Sequence, residues 1–171
     1  MSNESSAAIS EVRRDWVTEH REMYLRSGGA KGHIMDITAV GGRRFGTHCM
    51  IKYIGRKSGK TFITPLCYGA IGGEVVIVAS KGGADQHPEW YLNLREMPTV
   101  DFQVGTQAFR GTWREPEGEE RAKVWAFITD CHPFYAQYQA STDRIIPLVM
   151  LSAGAELPVF SEEDATGIRR S

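Results

Sequence analysis

Two short glycine-bounded turns carry the most suggestive chemistry in the chain: Gly55-Arg56-Lys57-Ser58-Gly59 and Ser80-Lys81-Gly82-Gly83. Between them runs Thr61-Phe62-Ile63-Thr64-Pro65-Leu66, which is β-branched, aromatic and proline-interrupted and so reads as a strand. Backbone N–H groups in such turns, with Lys and Arg charges beside them, can converge on one anion, so the spacing predicts a site for a phosphate-bearing cofactor. Taken alone, the first turn fits at least as well a solvated tight turn with idle charges. It is not a nucleotide P-loop. That motif needs four residues between its first Gly and the Gly-Lys-Ser/Thr end and must open a helix, whereas only Arg56, Lys57 and Ser58 separate Gly55 from Gly59 and a strand follows.

Other chemistries find little support. His20, His33, His48, His87 and His132 show no ligand spacing, and Cys49, Cys67 and Cys131 are odd in number and widely separated. Neither a metal site nor a disulfide framework is expected, and a reducing cytoplasm is the predicted setting. Lys+Arg 20 against Asp+Glu 21 gives a net charge of −1 without a basic block, which argues against a nucleic-acid partner. The first eleven residues lack the basic start and apolar core of a signal peptide, and no run approaches the ~20 apolar residues of a membrane span.

The elements that must position the turns follow from periodicity. At 171 residues, 42% hydrophobic and 24% charged, the chain fits one soluble domain with a sizeable core. Residues 10–27 read as a helix with Ile9, Val12, Trp16, Met23 and Tyr24 near one face and Gly28-Gly29 as a stop. Its polar face is charge-balanced, so packing on the domain or on a second copy is favoured over contact with anionic lipid. Strands are predicted at 47–54, 61–68, 74–79, 99–104, 107–114 and 145–151. The 99–104 and 107–114 pair forms a hairpin around Gly105-Thr106, with Val100, Phe102, Val104, Phe109, Gly111 and Trp113 on one side and mainly polar residues on the other. Val75 to Ala79 suggests a strand buried on both faces. Helices are predicted at 88–96, 117–131 and 133–139. Many antiparallel strands with a few interposed helices suggest a small barrel. The predicted division is an N-terminal helical segment, 1–27, a barrel domain, 28–152, and a loosely held tail, 153–171.

The order of the pieces is more specific than any one of them. The two turns, Thr64-Pro65-Leu66, His87-Pro88-Glu89-Trp90-Tyr91-Leu92-Asn93-Leu94, and Tyr138-Gln139 with Thr142-Asp143-Arg144 together resemble the deazaflavin-dependent nitroreductase family over roughly residues 28–152. The resemblance implies an α+β split β-barrel of antiparallel strands with peripheral helices, binding coenzyme F420. Under it, Arg56, Lys57 and Ser58 match residues that hold the anionic tail, and Ser80 and Lys81 match a second turn lining the cofactor. Thr64, Pro65, Leu66, Val78 and Ala79 would lie against the ring system, and Trp90, Tyr91 and Asn93 fall in a segment also used around it. Helix packing on the barrel is the plainer reading of Trp90 and Tyr91, and the favoured one for at least one of them.

The implied activity is hydride transfer from reduced F420 to an electron-poor acceptor such as a quinone, an activated enone or a nitroaromatic. Ser80 is the first choice as donor to charge developing on the acceptor, with Tyr135, Tyr138 and His132 as pocket residues. A helix-terminal His132 without a catalytic part is an equal alternative. The chain departs from the family at Phe62, where a cation is expected, which puts cofactor affinity in question. Cys67 and His132 stand where aromatic residues are expected, so acceptor preference should differ. Two rivals stay open: an FMN-dependent oxidoreductase on a similar barrel, and a non-catalytic cofactor-binding or storage protein. The first is the less favoured cofactor.

Overall fold

In the computed structural model, residues 16–38 and 42–167 are described. The β-branched runs form eight antiparallel strands: β1 (Ile34–Met35), β2 (Gly46–Ile54), β3 (Thr61–Cys67), β4 (Gly69–Ile71), β5 (Glu74–Val78), β6 (Val100–Val104), β7 (Gln107–Arg114) and β8 (Leu148–Leu157). They make one curled sheet in the order β1-β2-β6-β7-β8-β5-β4, with β3 pairing β2 off this path. Helix α1 covers residues 16–26, and α2 (Glu89–Leu94), α3 (Gly118–Cys131) and α4 (Phe134–Ala140) interrupt the strands. The architecture is the split β-barrel with peripheral helices. Residues 10–15 of the predicted first helix lie outside the described residues.

Both faces of the sheet are covered, which explains the sequence pattern. Ile77 and Ala79 point into a core with Ile51, Phe102, Val149 and α2's Trp90 and Leu94, while Val76 and Val78 pack with Val124, Ile128 and Tyr135 of α3 and α4. That is the strand buried on both faces. On the mainly polar side of the β6–β7 hairpin, Gln103 and Ala108 are fully buried under α1 and the C-terminal segment. Gln103 Nε2 donates to Gly105 O at 2.9 Å, and its Oε1 accepts from the Phe160 amide at 2.8 Å. Burial therefore leaves its amide paired, as it must be.

The last strand differs from its predicted span. It starts at Leu148, because Pro147 cannot donate to a ladder, and leaves Ile145 exposed. It then runs on to Leu157, pairing β7. The described residues after 153 pack on the sheet: Phe160 is buried beside Met50 and Ile63. Thr61's amide donates to Thr166 Oγ1 at 2.8 Å, and Gly167's amide to Thr61 O at 2.8 Å. Strands β1 and β4, two and three residues long, carry too little alternation to be read in advance.

Candidate active site

The first cationic turn is the β2–β3 hairpin loop. Gly55's amide donates to Lys60 O and Gly59's to Gly55 O, both at 2.8 Å, with Gly59 at φ +70° as a left-handed closing position requires. Ser58 Oγ accepts the Lys60 amide at 3.2 Å. Asn93 of α2, buried, fixes the loop from outside: its Oδ1 accepts from the Arg56 amide at 3.0 Å and from Arg56 Nη1 at 2.8 Å. Arg56 Nη1 also pairs with Glu89 Oε2 at 2.8 Å. Lys57 and Ser58 stay exposed.

The second turn follows β5. Ser80 is right-handed, whereas Lys81, Gly82 and Gly83 all have positive φ, at 47°, 64° and 83°. Gly83 is required by close approach as well as by φ, since a Cβ there would lie 2.2 Å from Ser141 Oγ and 2.9 Å from Tyr138 O. Ser141 Oγ donates to Gly83 O at 3.1 Å, and Thr142 Oγ1 to Asp85 Oδ1 at 2.8 Å. The end of α4 is thus bolted to this turn.

Charges of both turns reach Glu89. Glu89, its side chain 53% exposed, has its carboxyl held below the usual range by the Arg56 hydrogen bond first, then by the charges of Arg56, Lys57 and Lys81. Cations from both turns therefore act on a single carboxylate of the protein. Between the turns, Pro65 and Leu66 are half-buried, and Thr64 is buried with its hydroxyl 3.1 Å from Tyr53 OH. Ala79 is buried on the lumen side, whereas Val78 points away to the α3–α4 core. Trp90 and Tyr91 are both core residues. The Tyr91 hydroxyl donates to Glu115 Oε1 at 2.6 Å, and burial with that carboxylate pushes it up to about 12.

Next to the second turn lies a cavity of about 240 Å³. Its polar wall is His48, Cys67, Tyr138 and the backbone of Gly82; its apolar wall includes Trp16 and Val17 of α1, Ile37 and Phe134. Cys67 and Tyr138 were read from sequence as acceptor residues and are here. Tyr135 sits behind the wall, buried, its ring 4.5 Å from Phe134 and its hydroxyl hydrogen-bonded to the Cys67 thiol. His132 also lies behind the wall, its ring 5.7 Å from Phe134 and 5.9 Å from Tyr135. Helix α3 ends at Cys131 and α4 begins at Phe134, so no helical spacing runs through residue 132, and its buried Nε2 donates to Tyr68 O at 2.9 Å. Burial lowers its pKa, and its Nδ1 has no partner among the described residues.

Among the described residues the cavity lining carries no charged side chain. Gly46 O, 3.1 Å from His48 Nδ1, fixes the proton there, so Nε2 faces the Cys67 sulfur at 3.3 Å as an acceptor. Burial first, and then neighbouring His20, whose ring lies 4.5 Å away, bring His48 down to about 3. Burial pushes the Cys67 thiol up to about 12, so it is not a thiolate nucleophile. Trp16, Val17, His48 and Phe134 were not anticipated. Trp16 was legible only as an apolar helix position, and no local signal shows that His48 in β2 would meet α1.

Comparison with known proteins gives the family. The sequence model of a family described as F420H(2)-dependent quinone reductase matches residues 16–153. An F420H(2)-dependent quinone reductase of Mycobacterium tuberculosis (strain H37Rv) is 36% identical over 101 residues, 57% of this chain and 68% of that protein. The solved structure of an F420-H2 dependent reductase (FDR-A) is 40% identical, with a TM-score of 0.57, covering 61% of this chain and 93% of that one. A structure described as a domain-swapped dimer is 37% identical, with a TM-score of 0.59, over 82% and 99% of the two chains.

Proposed function

The chain belongs to the F420H(2)-dependent quinone reductase family, and from that premise we propose that it reduces a quinone held in the cavity under α1 with F420 seated across the two turns. It is an oxidoreductase that uses coenzyme F420. The observation that carries the assignment of sites is that one turn serves both: Lys81 joins Arg56 and Lys57 in the field at Glu89, while Gly82 lines the cavity.

When bound, reduced F420 supplies the hydride; the protein's part is binding, orientation and control of charge. Lys57, Lys81 and Arg56, with Ser58 beside them, hold the anionic tail, Arg56 exchanging or sharing its contact with Glu89. Pro65, Leu66 and Ala79, next to Thr64, offer an apolar bed for the ring system. Trp16, Val17 and Phe134 exclude water from the acceptor, and Tyr138 sets a hydroxyl in its wall. Asn93, Trp90 and Tyr91 act one layer back, holding the first turn and the core. Ser80 makes no side-chain hydrogen bond among the described residues and is 8% exposed, which leaves its hydroxyl for negative charge developing on the acceptor oxygen. Tyr135 supports the wall through Cys67, and His132 takes the structural role.

The test is titration with F420 and with FMN, followed by oxidation of reduced F420 with a naphthoquinone. F420 is expected to bind more tightly, and Ser80→Ala to lower kcat by ~10²-fold with little change in cofactor affinity. Tighter FMN binding would count against the cofactor site, and an unchanged kcat would move the donor elsewhere. A homodimer is supported by the domain-swapped relative. Among the described residues no helix is long and apolar enough to cross a membrane, and we place the chain in the cytoplasm on its three unpaired cysteines.

A further inference from the structure

We propose that Arg144 is the positioning residue that presents the Ser80–Gly83 turn to the anionic part of the cofactor. The proposal rests on the reading that F420 lies across the two turns. Arg144 follows α4, and its own backbone is held by Gln139, whose Nε2 donates to Arg144 O at 2.7 Å while its Oε1 takes the Ile146 amide at 2.9 Å. From this fixed base the guanidinium reaches a single loop. Nε donates to Ala84 O at 2.6 Å, Nη2 to Ser80 O at 2.7 Å, and Nη1 to Ala79 O at 3.2 Å and to His87 Nδ1 at 3.1 Å.

No carboxylate pairs with Arg144 among the described residues, unlike Arg26, Arg56, Arg110 and Arg114. The cation is therefore spent on main-chain carbonyls. Drawing the carbonyls of 79, 80 and 84 to one side turns the intervening amides to the other. The amides of Gly83 and Ala84 close back on Ser80 O and Lys81 O, whereas those of Ser80, Lys81 and Gly82 donate to no acceptor among the described residues. A right-handed residue followed by left-handed ones is the backbone form in which successive N–H groups gather round an anion. Lys81 holds a positive φ despite its Cβ, a conformation that persists only where its surroundings enforce it. Only a planar fork with several donors can take three carbonyls at once, so lysine is not an equivalent.

The experiment measures dissociation constants for F420 and for the same deazaflavin lacking the phosphate-bearing tail, in wild type, Arg144→Lys and Arg144→Met. In parallel, inorganic pyrophosphate is titrated while the amide resonances of residues 80–82 are followed. Expected are a loss of F420 affinity of about tenfold or more in both variants, an unchanged constant for the tail-less chromophore, and pyrophosphate shifts at 80–82 in wild type alone. Methylguanidinium added to Arg144→Ala should recover part of the F420 affinity. Unchanged F420 affinity in Arg144→Lys, or equal losses for both chromophores, would overturn the proposal. A wild type whose 80–82 amides respond to pyrophosphate in an Arg144-dependent way but which does not bind F420 would sink the cofactor reading and uphold the role of Arg144.

Discussion

Lys57 and Arg56 are neighbours of the same charge with different work. Arg56 is committed to Asn93 and Glu89, so removing it would disturb the loop as well as the field. Lys57 is exposed and makes no described hydrogen bond, so its loss reads electrostatics alone. Lys57→Ala is expected to weaken F420 binding about fivefold at low ionic strength, the scale of one partly exposed pair. The loss should shrink towards nothing as added salt shortens the screening length below ~10 Å. A loss insensitive to salt, measured by fluorescence titration, would show that Lys57 acts on the fold instead. The contrast shows what the sequence could carry at this scale. Arg56, Lys57, Ser80 and Lys81 were legible because a turn is local and its glycines declare it. For Trp90 and Tyr91 packing was legible, but the task of Asn93 was not, because which way α2 turns is fixed by contacts 37 residues apart, such as Asn93 with Arg56. Of the two readings of His132, the helix-terminal one fits its place just after α3.

The elements were more legible than the contacts between them. Alternation in β6 and β7, and β-branched or uninterrupted apolar runs between turn glycines in β2, β3 and β5, gave these strands nearly to the residue. The junction of α4 with the second turn was invisible, because it depends on a glycine whose neighbour lies 58 residues away. Gly82 and Gly83 make that junction testable. Both have positive φ, but a Cβ at Gly82 meets nothing within 4 Å, whereas one at Gly83 meets Ser141 Oγ and the Tyr138 backbone. Gly82→Ala should therefore cost only backbone strain, about 1 kcal/mol. Gly83→Ala adds overpacking of about 1–3 kcal/mol and should push α4 outward, raising the acceptor KM because Tyr138 and Phe134 move with it. Urea denaturation and quinone kinetics of the two variants measure the difference. Equal effects would mean that α4 is not registered by Gly83.

At the scale of the whole molecule, α1 and the C-terminal segment close the mainly polar face of β6 and β7, and histidines are sealed in the process. His20 on α1 bonds Gly32 O at 2.7 Å, His48 on β2 meets it edge to face, and His132 lies between α3 and α4. Burial is the first cause of the lowered pKa at all three, and at half-buried His33, with His48 lowest at about 3. In the unfolded chain each returns to about 6.5. Between the folded and unfolded values the unfolded state binds more protons, so stability is fully present above pH 6.5 and falls as pH drops. Each histidine still neutral in the fold contributes a slope of about 1.4 kcal/mol per pH unit, and His48 goes on contributing down to about pH 3. The carboxyls of Glu74 and Glu89 are shifted down, not up, and stay ionised in this range, so the window from pH 6.5 to 5 isolates the histidines. Urea unfolding is expected to give a flat free energy from pH 8 to 7 and a decline from 6.5 to 5. His48→Asn should lessen that decline by close to one histidine's share, while lowering stability at pH 7 through the lost contact with Cys67. A wild-type curve that stays level to pH 5 would mean that the fold admits the protons, and that α1 is a looser cover over the acceptor cavity than its packing implies.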